Sequence, residues 1–152
     1  MPKQSAGILL YRKTNEEPEL FLVHPGGPFF AKKDLGAWSI PKGEFMEGED
    51  PLEAAKREFQ EETGYVPKGE FIPLGSVKQT GGKIIHAWAA QGNLDPEKIT
   101  SNTFTLEWPP KSGQYREFPE VDRAAWFSLK NAREKINTAQ RELIERFQIV
   151  HF

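Results

Sequence analysis

At 152 residues, 38% hydrophobic and 28% charged, the chain can bury one core but is too short for two ordinary domains, so residues 1–152 are read as a single domain. Twenty Lys and Arg against 22 Asp and Glu leave a net charge of −2, which excludes a global attraction to nucleic acid or anionic membranes; any anion must be captured locally. The absence of cysteine excludes disulfide scaffolds, thiolate zinc sites and cysteine nucleophiles and is compatible with the cytoplasm, while the apolar stretch at 6–11 is too short for a signal or membrane segment.

The 13 Gly and 12 Pro punctuate short apolar segments without any internal repeat, which predicts a strand-rich α/β or α+β domain. Residues 6–11 (AGILLY) and 20–24 (LFLVH) read as buried strands of a hairpin around a polar turn at 14–18. A Gly/Pro loop over 25–36 follows, long enough to be functional, and runs into a strand-like 37–40 (AWSI). From Asp50 to about Thr63 the boundary signals of a helix agree: Asp50 caps it, Pro51 fits the first turn, Glu53 completes a capping box and Gly64 suits the exit. Residues 71–79 and 83–90 predict a second hairpin across 80–82 (TGG). Further strands are expected at 103–108 and 124–127, with a surface loop over 109–119 between them. Asn137 and Gln140 repeat the capping-box pattern ahead of Leu143, Ile144 and Phe147, which predicts a packing helix.

The chemistry concentrates in 57–62 (REFQEE). On a helix, Glu58, Glu61 and Glu62 stand at i, i+3 and i+4, so three carboxylates share one face and repel. They also lie toward the C-terminal end, where the macrodipole disfavours negative charge by a few tenths of a kcal/mol per contact, roughly. A bound cation removes that penalty, and oxygen-only ligands suit Mg²⁺ or Mn²⁺. Taken alone, the same face also describes an ordinary solvated helix.

The surrounding residues separate these readings. From Gly43, GEFMEGEDPLEAAKREFQEETGY follows G-x5-E-x7-R-E-U-x-E-E-x-G-U, where U is a bulky apolar residue, and so resembles the signature of the Nudix hydrolases. Seven fixed letters at about 6–7% usage each coincide by chance on the order of 10⁻⁸ per start position. The U positions carry Phe59 and Tyr65 rather than the usual aliphatics, which bears on packing and leaves every charged position intact. The resemblance implies an α/β fold, a Nudix-type α/β/α sandwich with a mixed sheet, and an Mg²⁺-dependent enzyme, with Mn²⁺ able to substitute, that cleaves phosphoanhydride bonds by water attack. It further implies that Glu58, Glu61 and Glu62 hold the metals, that the Gly43 carbonyl adds a ligand, and that Glu49 and Arg57 tie the loop to the helix. Arg57 can also bridge Glu53 and Glu61, each four residues away. Lys42 sits where a cation could meet a phosphate.

Outside the signature, 37–44 (AWSIPKGE) and 120–127 (EVDRAAWF) are similar to the diadenosine polyphosphate hydrolases and their bacterial nucleoside triphosphate pyrophosphohydrolase relatives within that family. Lys32, Lys33 and Lys42 are candidates for binding a long polyphosphate. Phe29, Phe30, Tyr115 and Phe118 are candidates for stacking on a base, at roughly 1–3 kcal/mol each. Glu120 leads Glu107 and Glu117 as an extra carboxylate reaching the metals from outside the helix, and His24, His86 and His151 receive no role. The expected activity is hydrolysis of dinucleoside polyphosphates, a small-molecule nucleotide substrate, in the cytoplasm. The alternatives are a nucleoside triphosphate pyrophosphohydrolase, including one for oxidised nucleotides, a nucleotide-binding regulator without turnover, and an RNA-end decapping enzyme. Intact carboxylates argue against the regulator, and the net charge without a basic tract argues against RNA.

Overall fold

Strand β1 (Gln4–Thr14) is buried along both faces from Ser5 to Tyr11, a pattern that only a central strand covered on both sides can show. The computed structural model describes residues 3–14 and 17–151; the turn expected at Asn15 and Glu16 lies outside them. β1 pairs in parallel with β5 (Ile84–Gln91) on one side. On the other it pairs antiparallel with β3 (Lys42–Glu44) along its first half and with β2 (Glu17–Pro25) along its second. β4 (Phe71–Lys78) flanks β5 and β8 (Val121–Ser128) flanks β2, giving a mixed sheet in the order β4-β5-β1-β2-β8.

Alternate residues of β1 feed two cores. Ala6, Ile8 and Leu10 pack with Phe21 and Val23 against Ala54, Ala55 and Phe59 of helix α1 (Pro51–Thr63). Leu9 and Tyr11 pack on the opposite face against Ala132 of helix α2 (Leu129–Lys135) and Leu143, Ile144 and Phe147 of helix α3 (Arg141–His151). The result is the expected α/β/α sandwich. The aromatic at position 59 is accommodated because Phe59 fills the α1 core completely, with its ring 6.0 Å from those of Phe21 and Tyr65. Among the described residues no helix is long and apolar enough to cross a membrane.

Helix α1 begins and ends as its sequence dictates. The Asp50 carboxylate accepts the Glu53 N–H at 3.0 Å, Pro51 opens the first turn, and Gly64 takes φ 82° to return its N–H to the Gln60 carbonyl at 2.7 Å. The Glu53 carboxylate faces Lys56 at 3.7 Å. Asp50→Ala is therefore expected to lower stability by about 1 kcal/mol while leaving turnover unchanged; urea melts beside kcat measurements test this, and an unchanged midpoint would remove the cap assignment.

Several elements differ from expectation. Residues 37–40 form no strand: Trp38 and Ser39 make single bridges to Ile136 and Val23, because the Ile40 N–H is taken by a side chain. That side chain is Gln140, which does not reach back to Asn137 but is completely buried, accepting from Ile40 N at 3.1 Å and donating to Ser39 Oγ at 3.0 Å. Asn137 instead caps one short turn through the Ala139 N–H at 2.9 Å. Within the loop expected over 109–119, Tyr115–Pro119 forms β7, paired antiparallel with β6 (Thr103–Glu107) as an arm separate from the main sheet. Helix α2 carries little local signal: it is seven residues long with Ala132 as its one buried residue, and its clearest mark is the Ser128 cap, whose hydroxyl accepts the Asn131 N–H at 3.2 Å.

Candidate active site

The sheet and α1 meet where β3 crosses the helix. Gly43 lies on β3 opposite Ala6, and an added Cβ there would stand 2.0 Å from Glu58 Oε2 and 2.1 Å from its carboxyl carbon. Only glycine lets the Glu58 carboxylate rest against the strand. Beside it opens a cavity of about 360 Å³ walled by Glu58, Glu61 and Glu62 of α1, Gly43 and Lys42 of β3, and Glu120 from the junction between β7 and β8.

Arg57 fixes one side of this wall. Its Nε and Nη2 donate to the two Glu49 oxygens at 3.1 and 3.2 Å, and Nη1 donates to Glu58 at 2.9 Å and Glu61 at 3.2 Å. The guanidinium thus ties the loop before α1 to the helix and leaves Glu62 to face Lys42. Burial raises the Glu62 carboxyl from its ordinary 4.5 to about 8; Glu58 and Glu120 push the same way, while Lys42 opposes through its ammonium and its backbone N–H. Burial and then Glu61 raise Glu58 as well. Burial in turn pushes the Lys42 ammonium below its usual range, against the pull of Glu62, Glu44 and Glu58.

The donors are all hard oxygens, and their mutual repulsion is only partly met by Arg57 and Lys42. Among the described residues no three acidic, His or Cys side chains converge as a ready-made chelate. Hard oxygen donors of this kind suit Mg²⁺ or Mn²⁺, which complete their coordination with waters. The residues present therefore fit a hydrated divalent cation.

The competing acids are occupied elsewhere. Glu107 accepts the N–H groups of Lys111 and Gly113 at 3.2 Å, and Glu117 accepts from Thr103 Oγ1 across the arm. Lys32, Lys33, Phe29 and Tyr115 do not line the cavity: all are exposed, Phe29 rests edge-on to Trp108 at 5.5 Å, and the Lys33 ammonium lies over Phe30 at 5.4 Å. Phe118 pairs with Phe104 within the arm. His24 is completely buried and ties the loop to β8, with Nε2 2.7 Å from the Lys33 carbonyl and Nδ1 2.8 Å from Asp122.

Sequence reasoning missed Asn102, which lines the carboxylate cavity, and Glu44, which is shared with a larger cavity of about 590 Å³. Phe45, Met46, His86, Lys3 and Gln4 line this second cavity, with the Phe45 and His86 rings edge to face at 5.9 Å. The larger volume is not where the carboxylates gather; it adjoins them. The segment from Glu44 to Gly48 and Pro51 supplies one side of it, and only tertiary pairing brings Lys3, Gln4 and His86 to the other.

A three-layer sandwich whose loop and helix gather glutamates against a glycine-bearing strand is the NUDIX architecture; the NUDIX domain model matches residues 1–147, and the chain belongs to the Nudix family. It resembles the crystal structure of a C. elegans Ap4A hydrolase binary complex with a TM-score of 0.67 and 23% identity over 97% of this chain and 96% of that one, a likeness of fold. In sequence it is 40% identical over 62 residues to an RNA pyrophosphohydrolase of Erythrobacter litoralis, covering 41% of this chain and 34% of that protein. It is also 30% identical over 112 residues to an octanoyltransferase of Myxococcus xanthus, covering 73% of this chain and 28% of that protein. The chain thus spans about a third or less of the length of these curated relatives.

Proposed function

We propose that this protein hydrolyses the diphosphate linkage of nucleoside polyphosphates, with dinucleoside polyphosphates preferred and Mg²⁺ required, Mn²⁺ being able to replace it. The observation that carries the reading is the gathering of Glu58, Glu61, Glu62 and Glu120, with Glu44 beside them, around one cavity that Lys42 also lines. Glu58, Glu61, Glu62 and the Gly43 carbonyl would hold the cation. When bound, it neutralises phosphate oxygens and lowers the pKa of the attacking water. Arg57 keeps Glu58 and Glu61 on their side of the cavity, and the Lys42 ammonium, which lines the same cavity, would meet a phosphate oxygen. Glu120 would reach the same cluster from outside the helix and is the carboxylate left to accept a proton from water.

The substrate reading draws on the second cavity. Because it shares Glu44 with the first, a nucleotide whose phosphates lie among the carboxylates can extend its nucleoside into the volume beside Phe45 and His86. Lys32, Lys33, Phe29 and Tyr115 would serve only the part of a long substrate lying outside the cavity. Similarity in fold to an Ap4A hydrolase and in sequence to an RNA pyrophosphohydrolase supports the reaction class. The 152 residues are proposed to act as one domain in the cytoplasm.

The test is a panel of diadenosine tetraphosphate, nucleoside triphosphates, a 5′-triphosphorylated RNA and a nucleotide sugar, assayed with Mg²⁺ at matched salt. The dinucleoside polyphosphate is expected to have the highest kcat/KM, with an advantage that shrinks as ionic strength screens its charge. A larger kcat/KM for the nucleotide sugar overturns the substrate assignment, a larger one for triphosphates replaces it with the pyrophosphohydrolase reading, and no turnover with either metal overturns the hydrolase itself.

A further inference from the structure

Glu120 reaches the cavity from an unusual place in the chain. It is the single residue between β7, which belongs to the separate arm, and β8, which belongs to the main sheet. A residue between two independently supported strands would swing as they move, so something must hold it opposite α1.

The hydrogen bonds identify the holder as the segment 100–102. At its C-terminal end, α1 exposes carbonyls that have no partner within the helix. The Asn102 N–H takes the Glu61 carbonyl at 2.9 Å and the Thr100 N–H takes the Thr63 carbonyl at 3.0 Å. The same segment then grips the acid: the Asn102 carbonyl accepts the Glu120 N–H at 2.7 Å, and Ser101 Oγ accepts the Val121 N–H at 3.0 Å. The Ser101 hydroxyl donates in turn to the Asn102 carbonyl at 2.8 Å, so it closes the two grips into one unit. From the other side the Glu120 carbonyl accepts the Gly26 N–H at 2.9 Å. Glu120 is thereby connected to Glu61 through one residue, Asn102.

We propose that Ser101 is a positioning residue, whose hydroxyl locks the 100–102 segment into a staple that sets Glu120 against the carboxylates of α1. The other bonds described in the staple are backbone to backbone, so Ser101 is where a side-chain substitution can loosen it. The inference rests on the reading of Glu120 as part of the metal-binding and hydrolytic site, and it predicts that Ser101 acts only through Glu120.

The experiment compares wild type, Ser101→Ala, Ser101→Thr, Glu120→Gln and the Ser101→Ala/Glu120→Gln double variant of the full chain. Mn²⁺ binding is measured alone by titration calorimetry, and kcat and KM with diadenosine tetraphosphate. Ser101→Ala is expected to weaken Mn²⁺ binding and lower kcat by about tenfold, the lower end of what a supporting shell contributes to a metal site, with KM within about twofold of wild type. Ser101→Thr, which keeps the hydroxyl, restores both. In the Glu120→Gln background Ser101→Ala changes neither by more than about twofold, because the group it positions is already spoiled. Wild-type Mn²⁺ affinity in Ser101→Ala, or the same tenfold loss in both backgrounds, overturns the proposal. If circular dichroism shows Ser101→Ala to be unfolded, Ser101→Cys, similar in shape but a weak acceptor, carries the same comparison. The calorimetric result needs no hydrolysis, so a wild type that turns over no nucleotide defeats the proposed function while the Mn²⁺ cycle still decides the staple.

Discussion

Glu62→Gln is expected to reduce kcat by about a thousandfold, equivalent to roughly 4 kcal/mol of transition-state stabilisation, while the protein remains folded. The substitution keeps the shape of the side chain and removes its charge, and with it a donor to the cation. Chelation of divalent metal from the wild type is expected to have at least as large an effect. The same residue carries a stability signature without metal. Its folded carboxyl titrates near 8 against an ordinary 4.5, so the folded state holds the proton more tightly than the unfolded chain does. Below about 4.5 both states are protonated and the site carries no penalty. As pH rises toward 8 the unfolded chain ionises first and the native state loses stability, by up to about 5 kcal/mol, after which the loss is constant. In chelator, Glu62→Gln should therefore melt above wild type at pH 9, by roughly 2–4 °C for each kcal/mol recovered at this chain length, and should match it near pH 4. Identical melting of the two proteins across that range would show that Glu62 is not held in the buried, like-charged setting described, and undiminished turnover would remove it from the site.

Gly43→Ala is expected to be nearly as damaging for a steric reason. The added methyl would occupy the place of the Glu58 carboxylate, 2.0 Å from Oε2, so either Glu58 leaves the cavity or β3 shifts away from α1. A displacement of about 1 Å at a reacting centre lowers rates on the order of a hundredfold, and forcing a methyl into packed space lowers stability by about 1–3 kcal/mol. The expected result is a kcat loss of that order together with weakened Mn²⁺ binding. Normal turnover in a folded Gly43→Ala protein would mean that Glu58 does not act from the position beside Gly43.

The carboxylate helix is legible in the chain because everything that builds it is local. Asp50, Pro51 and Gly64 set its ends, and Glu58, Glu61 and Glu62 share a face by spacing alone. The choice among Glu107, Glu117 and Glu120 is not legible. All three lie in or beside the arm, and only pairing between β6 and β7 turns Glu107 and Glu117 onto the arm's own groups while Glu120 emerges at the carboxylate cavity. The capping pattern at Asn137 and Gln140 misleads for a related reason: a fully buried amide is better satisfied by the Ile40 N–H, a hundred residues away in sequence, than by its own turn.

By itself, then, the sequence determined the family resemblance, the extent of α1 and the clustering of Glu58, Glu61 and Glu62, since each depends on contacts within a few residues. It also determined the two-sided burial of β1, written in its unbroken apolar run. Tertiary structure alone decided that Lys42 meets the carboxylates while Lys32 and Lys33 do not, that Asn102 joins Glu61 to Glu120, and that Phe45 and His86 form the wall of a second cavity. The Lys42 and second-cavity placements follow from the parallel pairing of β1 with β5 and the antiparallel pairing of β1 with β3, which bring together segments about 80 and 40 residues apart, and the Asn102 link from bonds of the 100–102 segment to α1 and to Glu120. Side-chain periodicity fixes which face of an element is buried; the partner that face meets depends on non-local pairing, to which spacing within one segment carries no reference.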